Sequence, residues 1–260
     1  MSLLVCENLH KSFGGLAAVN QINVNVEKGE LLGIIGPNGA GKTTFFNIIT
    51  GFLRPTTGKV EYEGEEITHL HPHLIAARGL IRTFQKINVF GNLLVMENIL
   101  IGRHRHFKTG FLGSLLQSPS HRSEEKVSRG EALQILKFVG LSGWENQKAQ
   151  RLSLGMQRAL GIAVALVAQP KLLLLDEPAS GMTIEETNHI MDVIREIHEK
   201  GITILLVEHN MKMVMNLCQR IVVLDAGRVV AEGNPEVIQH HPRVIEVYLG
   251  KRKSHAPSGC

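Results

Sequence analysis

Apolar positions along this chain follow two rhythms. Leu31–Ile35, Lys171–Leu175 and Ile202–Val207 are short, almost unbroken apolar runs, the pattern of strands buried on both faces. Ile22, Val24 and Val26 alternate with polar residues and predict a half-buried antiparallel strand. Leu3–Leu9 and Ile221–Leu224 also read as strands, Lys11–Leu16 with Gly14-Gly15 as a turn, and Glu63-Gly64 and Asp225–Arg228 as hairpin tips. Helical spacing takes over at Phe45, Ile48, Ile49 and Phe52, with Gly51 as a cap. It returns in Thr183–Glu199, where Ile190, Val193, Ile194 and Ile197 form the stripe and Gly201 ends the run. Thr183 and Glu186 stand in the relation of a capping box. Leu154–Ala168, Met211–Cys218 and a short piece around Glu236–His240 complete the expected helices.

Between about Ile87 and Gln150 the strand rhythm stops. Leu93–Ile101 and Ser128–Val139 read as helices, separated by Lys108–Ser123, a polar stretch rich in Gly, Ser and Pro that predicts an exposed loop. This region is expected to be a helical subdomain, about 87–159, set into a sheet domain formed by 1–86 and 160–250. The basic tail, 251–260, is expected to be disordered. Composition changes little: 43% apolar and 20% charged residues describe an ordinary globular protein, and the net charge of +4 is mild. Basic residues gather at Arg103–Arg105 and Lys251–Lys253 rather than along one face, so no nucleic-acid partner is expected. Cys6, Cys218 and Cys260 are too scattered for a disulfide framework. Leu160–Ala168, the longest apolar run, falls well short of the roughly 20 residues a bilayer span needs, and the N-terminus lacks the plan of a secretory signal.

The chemistry begins at Gly36-Pro37-Asn38-Gly39-Ala40-Gly41-Lys42-Thr43, between a buried strand and a helix that opens at Thr44. In that context a glycine-rich loop turns successive N–H groups inward as an anion nest, at the positive end of the helix. Lys42 then reaches the terminal phosphates of a nucleoside triphosphate, and the Thr43 hydroxyl can ligate magnesium. Farther on, Leu172–Leu175 delivers Asp176 and Glu177 at the carboxyl end of a strand, where open α/β sheets bind their ligands. Asp176 is placed to hold the metal and Glu177 to polarise a water for attack on the γ-phosphorus. No Asn-Lys-x-Asp guanine reader is present. Just upstream, Leu152-Ser153-Leu154-Gly155-Met156-Gln157-Arg158 opens a helix with Ser153 as cap and N–H groups at its start that can meet a phosphate.

That segment, ahead of an Asp-Glu strand, resembles the signature motif of ATP-binding-cassette ATPases, and the remaining motifs of that family match in order over about residues 3–250. The resemblance implies a P-loop NTPase of this type: a mixed α/β sheet core, an antiparallel β subdomain and an inserted helical signature subdomain. It implies that Gln85, in Arg82-Thr83-Phe84-Gln85, touches magnesium and the attacking water. His209 would contact the γ-phosphate, Phe13 would stack on adenine with Val19 on the same face, and 178–183 would be the D-loop. It further implies ATP and Mg2+ as ligands and a head-to-tail pair of ATPase subunits, each signature (Ser153 to Gln157) completing the partner's site. Phe13-Gly14-Gly15-Leu16, Val95–Leu100, Val207–Met211 and the ending Asn234–Gly250 resemble the ATP-binding subunit of bacterial branched-chain amino-acid importers. Partners would then be integral-membrane permeases and, indirectly, an extracytoplasmic solute-binding protein. The chain would lie peripherally on the cytoplasmic face of the inner membrane.

Three departures stand out. Met156 follows Gly155 where the family has Gln, Ala159 and Val164 replace basic residues, and Thr183 replaces Asp or Asn. They imply an intact site at this chain's own loop and a weakened one at the site its signature completes. An ATPase for another solute (urea, another amino acid, a lipid) is the near alternative. A soluble clamp on DNA or the ribosome is the distant one, since no coiled-coil or zinc insertion or second cassette is present. His69, His71 and His73 read as an ordinary connection, His104 and His106 as part of a solvated basic surface, and Met211, Met213, Met215 and Cys218 as an apolar helix face. Ile87, Val89, Phe90, Leu93 and Leu94 are more apolar than a surface loop needs. They read either as core or as the groove that, in this family, receives a helix of the membrane subunit.

Overall fold

The structure, a computed structural model, describes residues 2–83, 89–103 and 119–249. It resolves into two compact units, one formed by residues 2–27, 31–69 and 209–249, the other by 28–30 and the described part of 70–208.

In the first unit, β1 (Ser2–Phe13) pairs antiparallel with β2 (Leu16–Glu27) on one edge and β4 (Thr57–Tyr62) on the other. β5 (Glu65–Glu66) sits outside β4. Leu4, Leu9, Ile22 and Tyr62 are fully buried beneath this sheet. β1 runs on through Lys11 to Phe13, where a turn was expected, because Phe13 pairs with Leu16 and His10 accepts the Thr56 N–H. The reversal is confined to Gly14-Gly15, with Gly14 at φ 57.

A second set of strands in this unit comprises β3 (Leu31–Ile35) parallel to β9 (Arg220–Asp225), with β10 (Arg228–Gly233) antiparallel beyond it. Helix α1 (Lys42–Ile49) buries Phe45, Phe46, Ile48 and Ile49. Phe52 lies past its end and is exposed, since Gly51 at φ 74 has already turned the chain out of the helix. Met211–Leu217 forms a helix whose C-cap, Cys218, lies against β3: a Cβ at Gly33 would stand 2.7 Å from its Sγ, so glycine sets that approach. The single terminal helix expected is two, Pro235–His240 and Pro242–Leu249, because His241 adopts an extended backbone between them.

In the second unit β6 (Leu80–Arg82), β7 (Leu172–Asp176) and β8 (Thr203–Val207) run parallel in that order, with every residue of β7 and β8 buried. The helices here, numbered on from α1, are α2 (Pro72–Ala77), α3 (Val95–Arg103), α4 (Pro119–Phe138), α5 (Leu154–Leu166) and α6 (Ile184–Glu199). The rear of the expected 108–123 loop is therefore helical from Pro119. The rest of that loop and the 251–260 tail lie outside the described residues. α3 crosses α5 so closely that a Cβ at Gly102 would be 2.6 Å from the Val164 carbonyl oxygen. Buried Asn98 pins the segment before α3, accepting the Phe90 N–H (2.7 Å) and donating to the Phe90 and Leu94 carbonyls. The capping box of α6 forms as read, with Ile190, Val193, Ile194 and Ile197 inside.

Candidate functional site

The loop from Gly36 to Thr43 is shaped by close backbone approaches within the first unit. A Cβ at Gly36 would lie 2.2 Å from the Leu224 carbonyl oxygen, and one at Gly41 would lie 2.3 Å from that of Ala18. Gly41 also sits at φ 100, in the left-handed region that favours glycine. The β9–β10 turn braces the loop: Gly227 donates to the Ala40 carbonyl and accepts from the Asn20 N–H. Lys42 is buried, and its Nζ donates to the carbonyls of Gly36 (2.7 Å) and Pro37 (2.9 Å). No side chain caps α1 and its first turn carries no acid, so its positive end stays open to an anion. Asn38, Gly39 and Thr43 are exposed, Pro37 and Thr44 half-buried and Ala40 buried. Tyr248, on the last helix, brings its buried hydroxyl beside the Gly36 backbone. Burial pushes the pKa of that phenol up to about 12.

Phe13 is 51% exposed, with the Lys11 Nζ over one side of its ring, 5.4 Å from the centroid. Val19 does not share that exposure. It is fully buried, because the bulge at Gln21 (φ 54) shifts the register between Lys11↔Val19 and Leu9↔Ile22 and turns both Val19 and Ile22 inward. His209 is exposed, and Asn210 beside it caps the next helix by accepting the Met213 N–H. Gln85 lies outside the described residues.

The second unit gathers the acids. Asp176 ends β7 buried, its Oδ2 accepting from Arg82 Nη2 at 2.7 Å, with both side chains 6% exposed. Glu177 follows at φ 48, an uncommon conformation for a side-chain-bearing residue, and its N–H donates to the Val207 carbonyl. Fully buried Glu208 accepts the Ala179 N–H at 2.9 Å and so anchors residues 178–183. Arg158 completes the group. Burial lowers its pKa, while the charges of Glu177, Glu208 and Asp176 oppose that loss. Arg82, Arg158 and Glu208 are thus members of the acid cluster that the sequence reading did not identify.

The segment 152–158 starts α5 as expected. Ser153 is the N-cap, its Oγ accepting the Met156 N–H. Leu154 is partly exposed, Gly155 is buried, Met156 lines a cleft, and Gln157 folds back to donate to the Leu152 carbonyl. The Thr43 hydroxyl in the first unit and the Asp176 carboxylate in the second are each a hard oxygen donor of the kind magnesium takes. Among the described residues no helix is long and apolar enough to cross a membrane.

Comparison with known proteins matches these features. A family model described as "ABC transporter" covers residues 19–180, and one described as "Branched-chain amino acid ATP-binding cassette transporter" covers residues 228–254. The chain is 42% identical to the high-affinity branched-chain amino acid transport ATP-binding protein BraF of Pseudomonas aeruginosa over 96% of its length and 98% of the relative's. Among solved structures, the ADP conformation of an ATP-binding cassette of an ABC transporter superimposes with TM-score 0.84 at 35% identity, covering 96% of this chain and 100% of that one. A bacterial ABC transporter cassette solved as a dimer reaches TM-score 0.76 at 27% identity, over 89% of this chain and 98% of its own. With the family model spanning most of the chain and a relative alike over nearly all of it, the chain belongs to the ABC transporter family of ATP-binding cassettes.

Proposed function

We propose that this chain is the ATP-hydrolysing subunit of an importer of branched-chain amino acids, working in a pair of ATPases on the cytoplasmic face of two membrane permeases. Near full-length likeness to a protein named for branched-chain amino acid transport carries the reading of the solute. The loop geometry supports the nucleotide part. Backbone amides at the start of α1 and Lys42 neutralise phosphate charge, and Phe13 stacks on the base. Thr43, Gln85 and Asp176 would each offer an oxygen to magnesium, which when bound would neutralise charge on the transferring phosphoryl group. Glu177 orients and deprotonates water, and His209 steadies the terminal phosphate. Ser153 and the N–H of Gly155 are lent to the partner's nucleotide, and residues 87–159 act as the helical subdomain.

The solute is tested by purifying the chain from its native membrane and measuring the ligand of the extracytoplasmic binding protein that accompanies its permeases. Leucine, isoleucine or valine is expected; a preference for urea or a lipid overturns the reading.

Two substitutions test the partners. Phe90 is 56% exposed while Asn98 fixes its backbone, so its ring is held out ready for a membrane subunit. Phe90→Ala is expected to lower transport about thirtyfold, the size of one interface hot spot, and to leave hydrolysis by the isolated subunit within about twofold. An equal fall in both places the ring in the fold instead. Met156→Gln is expected to raise hydrolysis by the assembled transporter severalfold by restoring the donated half-site. An unchanged rate counts against a weakened site.

A further inference from the structure

The donors at the start of α5 already hold an anion, and it comes from the same chain. Glu186 Oε1 accepts from Ser153 Oγ at 3.0 Å and from the Gly155 N–H at 3.2 Å. Its other oxygen, Oε2, accepts the Thr183 N–H at 3.2 Å, and the Glu186 N–H donates back to Thr183 Oγ1. One carboxylate therefore spans two helix starts, closing the capping box of α6 with one oxygen and filling the cap of α5 with the other. The Thr183 N–H first, and then the Ser153 hydroxyl, hold it below the usual carboxylate range. Gly155 makes this possible, since a Cβ there would meet Glu186 Oε1 at 2.6 Å. Behind the carboxylate lies a cleft of about 410 Å³ lined by Val139, Leu141, Met156, Ala159 and His189, which leaves room for the side chain to swing away.

We propose that Glu186 is an internal stand-in for the terminal phosphate, holding the donors of Ser153 and Gly155 until the partner's nucleotide displaces it. This rests on the reading that those two groups are lent to the partner. The stand-in follows from charge and geometry. A carboxylate and a terminal phosphate compete for the same two donors, and like charges cannot share them in a low-dielectric contact. Pairing then requires Oε1 to leave. Oε2 and the Thr183 hydroxyl can keep their half of the box, so the side chain pivots at the end of residues 178–183. Those residues are also anchored by Glu208 through Ala179. Occupancy of the donated half-site is thereby felt in the segment that follows Glu177. Glu186 is a positioning residue: it shifts the balance between open and closed pairs by binding only the open one.

The test uses the assembled transporter carrying Glu186→Gln, which keeps the side-chain length and can still reach back to the cap but removes the competing charge. The ATP concentration for half-maximal hydrolysis is expected to fall about tenfold, within the range of typical couplings between sites, with kcat changed less than about twofold. ATP affinity of the isolated chain, which reads its own loop, is expected to stay unchanged. Ser153→Ala serves as the reference and is expected to raise that half-maximal concentration. If Ser153→Ala does so and Glu186→Gln does not lower it, the stand-in is overturned and the lent half-site survives. If Ser153→Ala has no effect, both fall. A change in the isolated chain's own ATP affinity also overturns it, since Glu186 would then be acting through the fold.

Discussion

Replacing Glu177 by glutamine is expected to lower ATP hydrolysis by about 10²–10⁴-fold, the usual worth of a positioned general base. The amide keeps the size of the side chain and the N–H that donates to Val207, so the strand end and residues 178–183 hold their places. It cannot take a proton from water. ATP binding, proposed to draw on the Gly36–Thr43 loop and Lys42, is expected to persist within about threefold. Single-turnover hydrolysis and equilibrium ATP binding, measured on the same preparation, separate the two effects. Retained hydrolysis would move the base elsewhere, and lost binding would make Glu177 a structural support.

The largest effect on stability is expected from Arg82→Met. The Arg82–Asp176 pair is buried on both sides, and removing the cation takes away the carboxylate's hydrogen-bonded counter-charge in a poorly solvated place, leaving only the charge of Arg158 in the group to offset it. Breaking such a pair costs about 3–5 kcal/mol. For a chain of this size that is a fall in Tm of roughly 6–15 °C. Millimolar magnesium is expected to recover part of the loss, because a divalent ion on Asp176 supplies the missing positive charge. Arg82→Lys keeps the charge but not the planar fork and should fall between. Scanning calorimetry with and without magnesium reads all three. An unshifted Tm would mean that Asp176 is held by other groups, and an absent magnesium effect would argue against its role as a metal ligand.

Features written in neighbouring residues were the legible ones. The strand, glycine-rich loop and helix at Gly36–Thr43 declare themselves because the glycines, the lysine and the flanking elements are contiguous, and β3 and α1 form on either side. The Thr183–Glu186 box needs only a spacing of three, and the structure forms it in full. The buried parallel strands were equally plain, since Leu172–Leu175 and Ile204–Leu206 carry no polar residue that could face water. What escaped the sequence is nonlocal. Arg82 meets Asp176 across 94 positions because β6 lies beside β7, a neighbourhood no motif announces. Glu186 reaches Ser153 across 33 positions by the meeting of two helix starts. Val19, which the family resemblance puts beside Phe13, is buried for a local reason: the left-handed Gln21 breaks the pleat between it and Ile22.

The conformation of Glu177 bears on how such a subunit ages over generations. At φ 48 a residue with a Cβ carries about 1–2 kcal/mol of backbone strain, which glycine escapes and asparagine or aspartate lessens. Selection for folding alone would thus favour Gly, Asn or Asp at position 177, and each of these shortens or deletes the carboxylate proposed as the base. If Glu177 is that base, hydrolysis is maintained against the grain of stability, and a lineage relieved of the need for it would lose this carboxylate early, with a sounder fold to show for it.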